Sequence, residues 1–151
     1  MSAMVRELPA PDTGLAFEAM RALRPHHADR GAWVARVDEL QRREGYRLVA
    51  AFDEAGDEAV AVAGFRLGHN LAWGRFIYVD DLSTVAAARG HGHGEALLRW
   101  IFDEAQRLGC DEVHLDSGTV PERWAAHRLY HRVGMNISSH HFIKQIGPHN
   151  D

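Results

Sequence analysis

One cysteine, Cys110, stands in a chain of 151 residues. No internal disulfide can form, and a reducing compartment is expected. Long apolar runs are missing as well: no stretch approaches the ~18 residues that a membrane span requires. Met1 to Pro11 lacks an apolar run preceded by positive charge, so no secretory signal is read there and a cytoplasmic protein is expected. There is no basic excess. Net charge is -4 with histidines neutral, which argues against nucleic-acid and membrane partners and favours a cationic, amine-bearing ligand. A lone cysteine also excludes a cysteine-rich zinc frame. The 11 histidines include His26-His27, His91-x-His93 and His140-His141. His91 and His93 lie in a turn where metal would compete with phosphate, and no native metal is expected.

What is present suits one globular domain over residues 1–151. Hydrophobic residues make up 46% and charged residues 25%, enough to build a core without the signature of disorder. Val5 to Leu8 reads as a short strand. Leu15, Phe17, Met20 and Leu23 give a helical spacing closed by Pro25, and Asp29 opens a second helix bearing Trp33, Val34, Val37 and Leu40. Tyr46 to Phe52 and Ala59 to Phe65 form a β-hairpin around the Gly56 turn. Arg75 to Thr84 is the next strand. A helix bearing Leu97, Leu98, Ile101, Phe102, Ala105 and Leu108 follows, then a strand over Cys110 to Asp116. Pro121 starts a helix that Gly134 stops, and Met135 to Ile146 is expected as a last strand. The helix aromatics Trp33, Trp100 and Trp124 are expected in core packing. The order implies an α/β (α+β) fold, one mixed sheet with helices on both faces.

Between the Arg75–Thr84 strand and the long helix lies Arg89-Gly-His-Gly-His-Gly94. A strand running through glycines into a helix makes an anion site. The helix start offers unpaired N–H groups and about half a positive charge. Gly90, Gly92 and Gly94 let the backbone approach a phosphate, and Arg89 adds a fork-shaped cation. The turn lacks the Lys-Ser/Thr of a Walker loop and does not follow a first strand as a dinucleotide fingerprint does.

These residues resemble the GNAT superfamily of N-acetyltransferases. Arg89, Gly92 and Gly94 match its Gln/Arg-x-x-Gly-x-Gly/Ala turn after the fourth strand. Leu82 and Thr84 match the Leu-x-Val end of that strand, and Ala86 stands at a common proline. Ala126-His-Arg-Leu-Tyr130-His-Arg-Val-Gly134-Met135 resembles the Ala-x-x-x-Tyr-x-x-x-Gly-Phe helix. The two motifs are in family order and cover residues 76–146. The resemblance implies a mixed sheet of about six to seven strands and acetyl-CoA as cosubstrate. The main chain of His91, Gly92, His93 and Gly94 would hold its diphosphate, helped by Arg89 and Gly90. Leu82, Ser83 and Thr84 would pair with its pantetheine arm, as an added strand does. Arg123 stands where the family often has asparagine, at a CoA or active-site contact. A homodimer is compatible with the family.

Acetyl transfer needs a neutral amine, a polarised thioester carbonyl, a proton for the departing thiolate, and alignment, which alone supplies about 7–11 kcal/mol of the barrier. By resemblance Tyr130 sits near the CoA sulfur and is the candidate general acid. A backbone N–H near Leu82 or Ser83 would polarise the carbonyl. Asp80 and Asp81 are adjacent, so they face opposite ways on a strand. Asp81 lies where some family members carry an acceptor-site acid and is the candidate base. Asp116, Ser117, His140, His141 and a water chain are alternatives. Trp33, Trp73 and Tyr78 are candidates for an acceptor pocket. The activity expected is direct transfer of acetyl to a primary amine of a small molecule or peptide. Two rival readings are a non-catalytic acyl-CoA-binding module of the same fold and a different nucleotide-binding protein, for ATP or NAD.

Overall fold

Apolar residues run without a break along the central strands, from Leu48 to Phe52 and from Ala61 to Phe65, so both faces of the sheet need a cover. The computed structural model describes residues 4–54 and 56–149; Ala55, in the expected hairpin turn, lies outside the described residues. Five strands lie in the order β1-β2-β3-β4-β5: β1 (Met4–Leu8), β2 (Arg47–Phe52), β3 (Ala61–Asn70), β4 (Gly74–Thr84) and β5 (Glu112–Leu115). The first four pair antiparallel, and β4 pairs β5 in parallel. The parallel pair is joined by a helix, as a parallel crossover requires.

On one face, Leu48, Ala50, Phe52 and Val62 pack with α1 (Phe17–Leu23) and α2 (Arg30–Arg36) through Phe17, Met20 and Trp33. Asp29 caps α2 by accepting from the Ala32 N–H at 3.1 Å. A π-helical turn over Val37–Gln41 and a 3-10 turn over Arg42–Glu44 prolong it until Gly45, whose φ of 93° only glycine adopts freely. On the other face, Val49, Ala51, Ala63, Phe65 and Ile77 pack with Leu97, Ile101 and Ala105 of α3 (His93–Arg107). Burying each such leucine or isoleucine contributes about 2 kcal/mol.

An ionic knot ties α3 to the sheet. Glu104, 8% exposed, accepts from Arg107 at 2.7 Å and from Arg47 at 2.6 Å. Arg47 also grips Glu7 of β1 at 2.7 and 2.8 Å. Arg107 first, and Arg47 with it, hold the Glu104 carboxyl down to about 2 against the opposing effect of burial.

The chain divides into two compact units, residues 1–115 and 116–151. The second contains a 3-10 turn over Pro121–Arg123 and α4 (Trp124–Arg132). Gly134, with φ 94°, ends α4, and the Met135 N–H donates to the Tyr130 carbonyl at 2.9 Å. Among the described residues, no helix is long and apolar enough to cross a membrane.

Four expectations need correction. Among the described residues the sheet has five strands, where six to seven were expected. Met135 to Ile146 is in no strand: among the described residues nothing pairs with it in a ladder. The first helix begins as a 3-10 turn over Ala10–Ala16, since Pro11 and Gly14 disfavour a regular start. Trp124 is 53% exposed and so is not a core residue, whereas Trp33 is buried beside Phe17.

Glu104 generates a pH prediction. Its folded pKa lies below its ordinary 4.5, so its stabilisation is complete above about pH 4.5 and is lost as pH falls toward 2. Glu104→Gln is expected to cost about 2 kcal/mol at pH 7 and to flatten the acid limb of stability, read by urea melts across pH.

Candidate active site

Strand β4 carries one residue that β3 does not match. Gly64 pairs with Asp81 while Phe65 pairs with Val79, so Asp80 is a bulge. The pairing with β5 covers Phe76 to Val79 and stops there. Among the described residues, no strand pairs with β4 on that side from Asp80 onward. The Val85 N–H donates to Val60 across β3 at 2.9 Å. By alternation Ser83 also faces β3, and the main-chain groups of Leu82 and Thr84 face the open edge. Ser83 is buried. The edge thus offers the donors and acceptors that an amide-bearing arm needs.

The glycine turn sits at the end of the same strand. A 3-10 turn over Ala86–Ala88 leads into it. Gly90 and Gly92 have φ of 82° and 84°, and a Cβ on either would meet nothing within 4 Å. The demand for glycine there is conformational, and the space in front is open. Among the described residues, the N–H groups of Gly90, His91, Gly92, His93 and Gly94 donate to no protein acceptor. Arg89 is exposed and reaches back to the Thr84 carbonyl at 3.3 Å. His91 Nδ1 lies 3.0 Å from the Ala88 carbonyl, and His93 Nδ1 is buried without a partner. These observations fit an anionic diphosphate: a run of unused donors at a helix head, a nearby cation and no blocking side chain.

Asp81 is held on both oxygens. Oδ1 accepts from Arg24 Nε at 3.0 Å and Oδ2 from the Tyr46 hydroxyl at 2.6 Å. Arg24 closes α1 and also donates to the Asp80 carbonyl at 3.1 Å. Burial first, then Asp81, pushes the Tyr46 phenol well above its usual range, so it stays a donor. The hydroxyl reaches Asp81 through a notch at Gly64, where a Cβ would lie 1.7 Å from the Tyr46 oxygen. Asp80 points elsewhere and is clasped by Arg66 at 2.7 and 2.8 Å. Arg24 and Tyr46 are the residues that sequence reasoning missed. Their partners lie 57 and 35 residues away, and no local pattern marks them.

In the second unit, Tyr130 is 8% exposed. Burial raises its phenol above the ordinary value, while Arg123 and a hydrogen bond to Ser117 oppose the rise. Ser117 also meets Arg123 Nε at 3.4 Å and His127 Nε2 at 3.0 Å. Arg123, Ser117, His127 and Tyr130 therefore form one cluster, in which His127 was not foreseen. His141 lies 3.5 Å from Asp116, both exposed, and His140 is exposed.

The remaining aromatic candidates do not gather at Asp81. Trp73 stacks on His114 with centroids 3.6 Å apart, and Tyr78 lies under Arg66 at 5.6 Å. Among the described residues, no group of three or more His, Cys, Asp or Glu is arranged to hold a metal ion.

Residues 14–135 match the Acetyltransferase (GNAT) family, a span that crosses both units. The uncharacterized N-acetyltransferase YhdJ of Bacillus subtilis (strain 168) is 30% identical over 115 residues, 76% of this chain and 78% of that one. Glucosamine 6-phosphate N-acetyltransferase 1 of Oryza sativa subsp. japonica is 34% identical over 85 residues, 54% of this chain and 52% of its own. Two solved structures share the fold. The aminoglycoside N-acetyltransferase AAC(6')-Iy, in complex with CoA, has a TM-score of 0.80 at 15% identity over 96% of this chain and 95% of its own. An acetyltransferase of Trypanosoma brucei has a TM-score of 0.77 at 19% identity, over 96% and 100%. A bulged, opened sheet beside a free helix head is thus an α/β acyltransferase architecture. The chain belongs to the GNAT family and is an N-acetyltransferase, of a family that uses acetyl-CoA and acts on amines.

The Gly64 notch yields a coupling prediction. Gly64→Ala is expected to destabilise by about 1–3 kcal/mol through the clash with Tyr46. In a Tyr46→Ala background the same change should cost almost nothing, a non-additivity that denaturant melts of the double-mutant cycle measure.

Proposed function

We propose that this chain, as a single domain over residues 1–151, transfers acetyl from acetyl-CoA directly to a primary amine in a ternary complex. The observation that carries this reading is the run of unused N–H groups from Gly90 to Gly94, next to the open edge of β4. Acetyl-CoA supplies the acyl group as an activated thioester. The helix head and Arg89 bind the diphosphate, and His93 Nδ1, buried and unpartnered, is a further polar group in the turn. Leu82 and Thr84 pair with the pantetheine amides, with Ser83 holding the strand to β3. The Leu82 N–H polarises the carbonyl.

Asp81, or a water it orders, takes the proton that the amine must lose. A new C–N bond forms, the C–S bond breaks, and Tyr130 donates a proton to the departing sulfur. Its burial favours this role, because a phenol held above its ordinary 10.0 keeps its proton at neutral pH. Arg123 and Ser117 orient it. Arg24 and Tyr46 fix the Asp81 carboxylate toward the acceptor, and the cationic amine is drawn by an acidic chain.

One relative is named for glucosamine 6-phosphate, and one structure of the same fold is named for aminoglycosides. A thiol-release assay should therefore include amino sugars and aminoglycosides beside polyamines, amino acids and peptide N-termini. Tight acetyl-CoA binding without turnover on any amine would favour the non-catalytic module instead.

Acetyl-CoA is expected to raise the melting temperature, and Arg89→Ala to remove most of that shift. No shift in the parent protein at saturating ligand contradicts the reading. Tyr130→Phe should lower kcat about 10²–10⁴-fold with acetyl-CoA affinity retained. The alkaline limb of the parent's pH profile should lie above the ordinary phenol value of 10.0, and Tyr130→Phe should abolish it. Unchanged turnover in that variant removes Tyr130 from the chemistry.

A further inference from the structure

Arg123, His127 and Tyr130 follow one another at steps of four and three, so α4 and the residue that caps it present them on one face. Ser117 and Gly118 belong to the same unit and precede the 3-10 turn over Pro121–Arg123. The contacts among these residues fix where each hydrogen points.

The imidazole sets the direction. His127 Nε2 lies 2.8 Å from the Gly118 carbonyl oxygen and 3.0 Å from Ser117 Oγ. A carbonyl only accepts, so Nε2 carries a hydrogen whether the ring is neutral or charged. A nucleophilic serine would need a bare ring nitrogen to take its proton, and the Gly118 carbonyl denies Ser117 that partner. Ser117 Oγ is instead an acceptor, from His127 and, at 3.4 Å, from Arg123 Nε. Both of its lone pairs are then filled, and its own hydrogen has to be donated onward. Tyr130 stands on the same face to receive it. Burial raises the Tyr130 phenol, while Arg123 and the Ser117 hydrogen bond draw it down, as donors to a phenolate oxygen do.

We propose that His127 and Ser117 are positioning residues for Tyr130, a directed chain that runs from the imidazole N–H through the serine hydroxyl to the phenol oxygen; this role rests on the reading of Tyr130 as the acid. The phenol oxygen is occupied as an acceptor, so its own hydrogen is the one left to give to the departing sulfur. In that step the Tyr130 O–H bond breaks and an S–H bond forms. The phenolate keeps the donors from Ser117 and Arg123 until water returns a proton. Ser117 and His127 keep their hydrogens throughout.

The fluorine signal of meta-fluorotyrosine, placed at position 130 of the full chain, follows that phenol alone through its titration. Ser117→Ala is expected to weaken it as an acid about 10-fold, since a donor to the charged form is lost. His127→Ala should move it the same way by less, because the serine hydroxyl is then free to turn. Ser117→Thr keeps the hydroxyl and His127→Gln keeps an N–H, so both should titrate as the parent does. Loosened packing acts in the opposite sense: water admitted to Tyr130 relieves the effect of burial and strengthens the acid. The titration needs neither acetyl-CoA nor an amine, so its outcome is separate from the turnover of Tyr130→Phe, which tests the acid itself. A Ser117→Ala chain whose phenol is unchanged or stronger as an acid overturns the proposal. So does a His127→Ala chain that titrates as the parent does.

Discussion

The ladder between β4 and β5 ends at Val79, and the candidate site depends on the β4 main chain that follows. The extra residue at Asp80 shifts the register with β3, one residue after the parallel ladder with β5 ends. Beyond it, Leu82 and Thr84 keep main-chain groups that no strand satisfies. Unpaired backbone of this kind is costly when dry and useful when a ligand completes it. The glycine turn then delivers the chain from this edge to the head of α3, where a further set of N–H groups has no protein partner. Both sets belong to one continuous stretch, residues 82–94, so an arm with amides at one end and phosphates at the other fits it in a single orientation.

The same bulge separates the roles of two neighbouring aspartates. Asp80 is spent on Arg66 at the surface, while Asp81 turns toward Arg24 and Tyr46. That arrangement asks for an unusual absence of side chain at Gly64, directly opposite Asp81 in the register. Carboxylate, phenol and guanidinium are therefore fixed by one notch in the sheet. On the opposite face the Arg47–Glu104 pair anchors α3, and with it the helix head, to β2.

Local features were legible in the sequence, and features made by distant pairing were not. The head of α3 was readable from Arg89 to Gly94, since turn, cap and glycine demand act within six residues. The β2–β3 hairpin, the Asp29 cap and the GNAT resemblance rest on equally short patterns. The bulge at Asp80 was invisible because a register shift is a property of two strands. Arg24 and Tyr46 looked like a helix-end cation and an ordinary strand aromatic. Only folding over 57 and 35 residues brings them to Asp81. The strand expected over Met135–Ile146 has the right side chains, but a strand also needs a neighbour, and among the described residues none pairs with it. Trp124 was assigned to the core by its helical spacing, which fixes a face but not what covers it.

The central claim is that the main chain from Leu82 to Gly94 is the acetyl-CoA platform. Amide hydrogen exchange, followed residue by residue with and without acetyl-CoA, tests it most directly. The account predicts strong added protection at Leu82, Thr84 and Gly90 to Gly94, with little change along β1 and β2. Protection confined to other segments, or none at the head of α3 under saturating acetyl-CoA, would contradict it.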